Sequence, residues 1–104
     1  MSKISKIKQF YVKDQFIIED DNVVIFQSYD SVIASYNKKS KVLTLDRYYW
    51  VYSRITTKYL YKFINEYCYN VFCCDIHSKV QVKYLINNNK ILFEDLSKKK
   101  NRKG

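Results

Sequence analysis

Three short runs of aliphatic, β-branched and aromatic residues, each bounded by polar residues, occupy the first half of the chain. They cover 23–26, 32–36 and 42–45. Such residues favour β-strands, and Leu43 and Leu45 share one face of the third run. The pattern predicts three strands of an antiparallel meander. Two shorter runs, 10–12 and 16–18, predict an additional hairpin at its edge.

The spacing of apolar residues changes after residue 53. They now recur three and four positions apart, which is the spacing of one helix face, at Leu60, Phe63, Ile64, Tyr67 and Val71. This predicts one main helix over residues 54–69. Ser53, Thr56 and Thr57 each offer a hydroxyl that can cap its first turn.

Apolar and polar residues alternate again over 79–86, and three asparagines at 87–89 separate this run from 91–93. The alternation predicts a C-terminal β-hairpin. A short helix over 79–86 is the alternative, since eight residues is an ambiguous length. The predicted fold class is α+β: an antiparallel sheet of about five strands, a meander plus the C-terminal hairpin, packed by one helix.

Glycine is nearly absent, because only Gly104 is present among 104 residues. Turns that need a positive φ must therefore use other residues, and asparagine and aspartate tolerate that conformation best. The expected positions are Asp20, Asp21, Asn22, Asp30, Asn37, Asn70 and 87–89.

The net charge of +9 resides in the two ends of the chain. Residues 1–13 carry four lysines and no acid, and the tail 98–104 adds five cations: Lys98, Lys99, Lys100, Arg102 and Lys103. The interpretation is a single domain over 14–97 with a basic arm before it and a disordered basic tail after it. Basic arms of this kind favour a polyanionic partner such as DNA or RNA.

A second cluster of cations lies within the domain. The stretch 38–62 has seven cations and one acid, whereas 14–30 has five acids and no base. Three of the cations are spaced four residues apart on the predicted helix, where they form a stripe opposite its apolar face. The predicted nucleic-acid-binding cations are Lys38, Lys39, Lys41, Arg47, Arg54, Lys58 and Lys62. An ordinary solvated helix face, partly neutralised by Glu66, is the alternative.

Residues 48–52 form the most aromatic segment. Aromatic rings beside cations can stack on the bases of single strands. Tyr48 and Trp50 are the candidates for this role, and burial in the core is the alternative.

Other chemistry finds little support in the sequence. Cys68, Cys73, Cys74 and His77 lack the spacing of a zinc site, so no metal or cofactor is expected. No nucleophile has an evident base and orienting group, and no glycine-rich phosphate loop is present, so no enzyme activity is expected. No apolar run is long enough for a membrane helix or signal peptide, which indicates a cytoplasmic protein.

The segment 28–36, SYDSVIASY, and the segment 52–59, YSRITTKY, resemble a small uncharacterised domain of bacterial and archaeal viruses. Its pattern is S-Y-x-x-x-I-A followed by Y-S-x-T-T-x-K-H. This chain has its two threonines one position later, at Thr56 and Thr57, and has Tyr59 where a histidine is common. The resemblance implies a small accessory protein of a virus or mobile element, acting in the host cytoplasm. It implies no activity.

Three functional hypotheses follow. The first is non-enzymatic nucleic-acid binding through the basic arms and the cationic helix face. The second is a protein-interaction module that inhibits a host defence or transcription complex. The third is a homodimeric structural protein.

Overall fold

The computed structural model describes residues 6–96. Within them, six strands form one open sheet in chain order. Each strand pairs antiparallel with the next from the first to the fifth, and the sixth pairs parallel to the fifth. The strands are β1 (Lys6–Phe10), β2 (Val12–Glu19), β3 (Val23–Ser28), β4 (Ser31–Asn37), β5 (Val42–Asp46) and β6 (Ile91–Glu94).

Three helices follow β5 and precede β6: α1 (Arg54–Tyr67), α2 (Tyr69–Phe72) and α3 (Lys79–Asn87). The predicted α+β class is confirmed, and so are the three-strand meander, the edge hairpin and the main helix. The helix ends at Tyr67, two residues before its predicted end. None of the helices in the described part of the chain has the length and apolar character needed to span a membrane.

The core lies between the helices and one face of the sheet. Ile17, Phe26, Ala34 and Leu45 form one buried row across four strands, and Leu60, Phe63 and Ile64 of α1 pack in the same cluster. Val82 of α3 belongs to it as well. Within residues 6–96, no helix packs against the opposite face of the sheet.

The predicted C-terminal hairpin is wrong. Residues 79–87 form helix α3, as the alternative proposed, and β6 lies beside β5 in parallel. Ser78 begins α3 with a capping box, in which its hydroxyl accepts from the Gln81 N–H and the Gln81 side chain accepts from the Ser78 N–H. This reciprocal pair satisfies two backbone donors and stabilises the helix start.

Most predicted positions of positive φ are wrong as well. Of the expected residues only Asn89 has a positive φ, and the others with this backbone are Tyr11, Asp14, Tyr29, Lys41 and Cys73. Asp20 and Asn37 instead stabilise their turns by accepting hydrogen bonds from backbone N–H groups two and three residues later. These side-chain bonds need no left-handed backbone.

The N-terminal segment 1–13 contains strand β1, whose Phe10 is buried in the core. The predicted basic tail 98–104 lies outside the described residues.

Candidate nucleic-acid interface

The predicted cationic stretch 38–62 does not form one continuous surface. Lys39 and Lys41 are exposed in the turn between β4 and β5. The five residues of β5 separate this turn from Arg47, a distance of roughly 17 Å. The cations of this stretch are therefore distributed over both ends of the sheet.

Two of the predicted binding cations already have acidic partners. The ammonium of Lys38 lies 2.8 Å from a carboxylate oxygen of Glu19, and the Arg47 Nε lies 3.1 Å from a carboxylate oxygen of Asp95. Both pairs are partly solvent-exposed, so each contributes little to stability. A phosphate would nevertheless have to compete with these carboxylates.

The cations of α1 are more available. Arg54 and Lys58 are exposed, and neither forms an ion pair with another residue in the range 6–96. The spacing suggested an ion pair between Lys62 and Glu66, but both residues contact Tyr11 instead. The Lys62 ammonium lies 4.9 Å from the centre of the Tyr11 ring, and the Tyr11 hydroxyl donates to Glu66.

Trp50 is not available for stacking. Its indole is 5% exposed and packs in the core 6.1 Å from the ring of Phe93. Residues 47–52 form turns rather than a strand, and Asp46 stabilises them by accepting from the N–H groups of Tyr48 and Tyr49. Tyr48, the other stacking candidate, is exposed.

Three further tyrosines are exposed beside α1: Tyr29 and Tyr52 at its start, and Tyr11 beside its second half. Tyr52 directly precedes Ser53, the N-cap residue of the helix. Tyr29 follows Ser28, whose hydroxyl is hydrogen-bonded to Thr56 in the first turn. The centre of the Tyr11 ring lies 6.2 Å from that of Tyr59. We call this surface the helix-start rim and define it as Tyr11, Tyr29, Tyr52, Arg54, Lys58 and Lys62. These tyrosines lie in three separate turns of the chain, so the sequence alone gives no reason to group them.

Buried hydroxyls hold the rim in place. The hydroxyls of Ser28 on β3 and Thr56 on α1 lie 2.9 Å apart, and both residues are fully buried. Ser53 is the N-cap: its hydroxyl accepts from the Thr56 N–H and donates to the Thr56 hydroxyl. The helix start is therefore attached to the sheet beside Tyr29.

The residues quoted for the sequence resemblance thus fall into two groups. Ser28, Ser53 and Thr56 form the attachment. Tyr59 packs in the core, whereas 60% of the surface of Tyr52 is exposed. The Tyr52 ring contacts that of Tyr49 edge-to-face, with the ring centres 5.6 Å apart, and leaves most of its own surface open.

Two rim tyrosines have an unusual backbone. Tyr11 has a φ of 69° and Tyr29 a φ of 55°, which is the left-handed region that non-glycine residues seldom occupy. Such conformations cost of order 1–3 kcal/mol and persist where the surrounding structure enforces them. They also concentrate at binding sites, so both tyrosines merit a functional explanation.

The electrostatics of the rim are mixed. Glu66 accepts from Tyr11, and the exposed Asp30 follows Tyr29 in the chain. These acids offset part of the charge of the three cations on α1. A ligand at the rim would therefore gain more from aromatic contact than from net charge.

The cysteines are dispersed. Cys68 is buried, and burial raises the pKa of its thiol to about 12, whereas Cys73 and Cys74 are exposed. Within residues 6–96, no three histidine, cysteine or acidic side chains come together as a metal site would require.

Residues 2–79 match the model of a family of unknown function, DUF8033. The match spans three quarters of the chain, which therefore belongs to this family, and it includes every residue of the helix-start rim. No curated protein and no solved structure matches the chain.

Proposed function

We propose that this member of the DUF8033 family is a non-enzymatic protein that binds single-stranded nucleic acid at its helix-start rim. The observation that carries the proposal is the presence of exposed tyrosines beside Arg54 and Lys58, which form no ion pair within residues 6–96, on a surface fixed by buried hydrogen bonds. Bases stack on aromatic rings with little sequence preference, and nearby cations contact the phosphates.

The proposal assigns different roles to the two kinds of residue. Tyr29 and Tyr52 stack on bases, while Arg54 and Lys58 contact the phosphate backbone. The basic ends, including Lys98, Lys99, Lys100, Arg102 and Lys103, add attraction that depends on salt rather than on sequence. The resemblance to a domain of bacterial and archaeal viruses supports a role as a virus-encoded accessory protein in the host cytoplasm.

The stacking role is tested by replacing Tyr29 and Tyr52 together with alanine and titrating a fluorescent oligothymidylate. Stacking is worth about 1–3 kcal/mol per base, so the affinity should fall at least fivefold for each base released. Tyr84→Ala is the matched control, because Tyr84 is an exposed tyrosine on α3, away from the rim. Equal affinities for all three proteins would refute a stacking role of the rim.

The phosphate role is tested by the double variant Arg54→Ala/Lys58→Ala. Each phosphate contact to a single strand contributes about 0.7 to the slope of log affinity against log salt, so two lost contacts should lower the slope by about 1.4. The matched control is Lys79→Ala/Lys83→Ala, which removes the same charge at the same spacing from α3. An equal decrease in both variants would mean that net charge, rather than the rim, binds the phosphates.

A groove beside α3 favours a second candidate function, that of a protein-interaction module. It has a volume of about 470 Å³ and an almost entirely apolar lining that includes Phe72, Ile76, Val80 and Tyr84. Val80 and Tyr84 are four residues apart on α3 and both are exposed, which is the arrangement that receives an apolar peptide segment. If this is the function, Val80→Glu should abolish capture of one protein from host extract, and the rim variants should leave that capture unchanged.

A further inference from the structure

The outward face of the sheet, opposite the helices, has an apolar centre and no cation among its paired residues. By the strand register fifteen residues lie on this face; eight are apolar, and two are acids at one end, Asp46 of β5 and Glu94 of β6. Asp46 is 1% exposed and accepts from the N–H groups of the turn that follows it. None of the fifteen is Lys or Arg, although the chain has 19 of these residues. The fifteen are Ile7, Gln9, Phe16, Ile18, Val23, Ile25, Gln27, Val32, Ser35, Asn37, Val42, Thr44, Asp46, Leu92 and Glu94, and we call them the outward sheet face.

The register aligns the centre of this face into one continuous row. Ile7, Ile18, Ile25, Ser35, Thr44 and Leu92 are successive partners across all six strands. Both ends of this row are open to solvent, because Ile7 is 67% exposed and Leu92 is 44% exposed. None of the apolar residues of the face belongs to the core cluster or packs against it. The solvated face of a sheet normally carries polar and charged residues. The apolar residues at the centre of this face therefore indicate a surface that is covered in solution.

We infer that the outward sheet face is covered by the same face of a second copy of this chain, forming a two-fold symmetric dimer with two stacked sheets. This assignment is independent of the proposed nucleic-acid binding, since the rim belongs to the end of the sheet and the helix side.

The absence of cations is what favours a second copy. The chain carries a net charge of +9, so two copies repel each other wherever their cations meet. The outward sheet face is a surface on which they can meet through an uncharged centre without any contact between cations. A partner with a charged surface would leave its own charges unpaired against this face, which costs binding energy. Depletion of charge is also characteristic of the centre of protein interfaces.

The size of the face fits a dissociable dimer. Six strands at about 4.8 Å spacing and five residues along each strand cover roughly 29 by 17 Å, or about 500 Å² per copy. Two such faces bury about 1,000 Å², which is at the lower end for specific interfaces. The two sheets would pack about 10 Å apart with their strands nearly aligned.

Sedimentation equilibrium of the full chain over a range of concentrations tests the inference. The average mass should rise from 12.6 kDa toward twice that value as the concentration increases. Ile25→Lys places an unpaired charge at the centre of the face and should weaken association roughly thirtyfold or more. Val80→Lys, the same change at an exposed site on α3, should associate like the wild-type chain.

Thr44→Lys provides a second test at a position that is already polar, and circular dichroism verifies that each variant is folded. A wild-type chain that remains at 12.6 kDa at every concentration would overturn the inference. It would also be overturned if Val80→Lys dissociated the dimer while Ile25→Lys and Thr44→Lys did not, because the groove beside α3 would then form the contact.

Discussion

The hydrogen bond between Ser28 and Thr56 should couple the sheet to the start of α1 by a measurable free energy. Both side chains are fully buried, and their hydroxyl oxygens lie 2.9 Å apart. A double-mutant cycle with Ser28→Ala and Thr56→Val removes the two hydroxyls singly and together, with little change of shape.

The single changes should differ in cost. Ser28→Ala leaves the Thr56 hydroxyl with its remaining partner, Ser53, at 3.1 Å, so the loss should be about 0.5–1.5 kcal/mol. Thr56→Val leaves the Ser28 hydroxyl buried with no partner from α1, so the loss should be about 1–3 kcal/mol. The double variant leaves no such orphan and should lose less than the sum of the two, by about 1 kcal/mol.

Urea denaturation followed by tryptophan fluorescence measures these losses, because Trp50 is the single tryptophan and is 5% exposed in the folded chain. Each kcal/mol should also lower Tm by about 4–8 °C for a domain of this size. If the two single losses simply add in the double variant, within about 0.3 kcal/mol, the hydrogen bond does not couple the two elements and the account of the rim attachment fails.

Three further predictions concern buried and exposed side chains. Cys73 and Cys74 should react quickly with a thiol reagent, whereas Cys68 should react only on unfolding. Rapid labelling of all three cysteines, seen by mass spectrometry, would contradict the burial of Cys68. Burial raises the pKa of Cys68 from 9.0 to about 12, so the folded chain retains a proton that the unfolded chain loses. The contribution of this thiol to stability is therefore complete below pH 9 and lost as the pH rises toward 12, and Cys68→Ala should flatten that decline in urea titrations at several pH values. Gln15 is fully buried, and neither atom of its side-chain amide has a hydrogen-bond partner among the described residues. Gln15→Met should therefore raise the free energy of unfolding by about 1–3 kcal/mol. A lower Tm for this variant would show that the amide is hydrogen-bonded in solution.

Hydrophobic periodicity predicted most of the fold. Runs of β-branched and aromatic residues identified β3, β4 and β5, and the spacing of Leu60, Phe63 and Ile64 identified α1, because those three residues form one buried helix face. The C-terminal hairpin failed because α3 places only Val82 fully in the core, so its apolar residues alternate like those of a strand. Ser78 and Gln81, at the spacing of a capping box, were the signal that could have identified the helix.

The candidate site was only partly predictable. Counting cations along the chain found Arg54 and Lys58, but it also grouped them with Lys39 and Lys41, which lie at the other end of β5. The tyrosines of the rim come from three separate turns, and their exposure depends on how those turns meet. A buried tyrosine and an exposed tyrosine look the same in sequence, as Tyr59 and Tyr52 show.

A titration of the ¹⁵N-labelled full chain with an oligothymidylate, followed through the backbone amide shifts, tests whether the helix-start rim contacts single-stranded nucleic acid. If the rim binds, the largest shift changes occur at residues 11–13, 28–30 and 52–62, and they diminish in Tyr29→Ala/Tyr52→Ala. If the shifts change only at the basic ends or in the groove beside α3, while the rim amides stay unmoved, the rim is not the binding site.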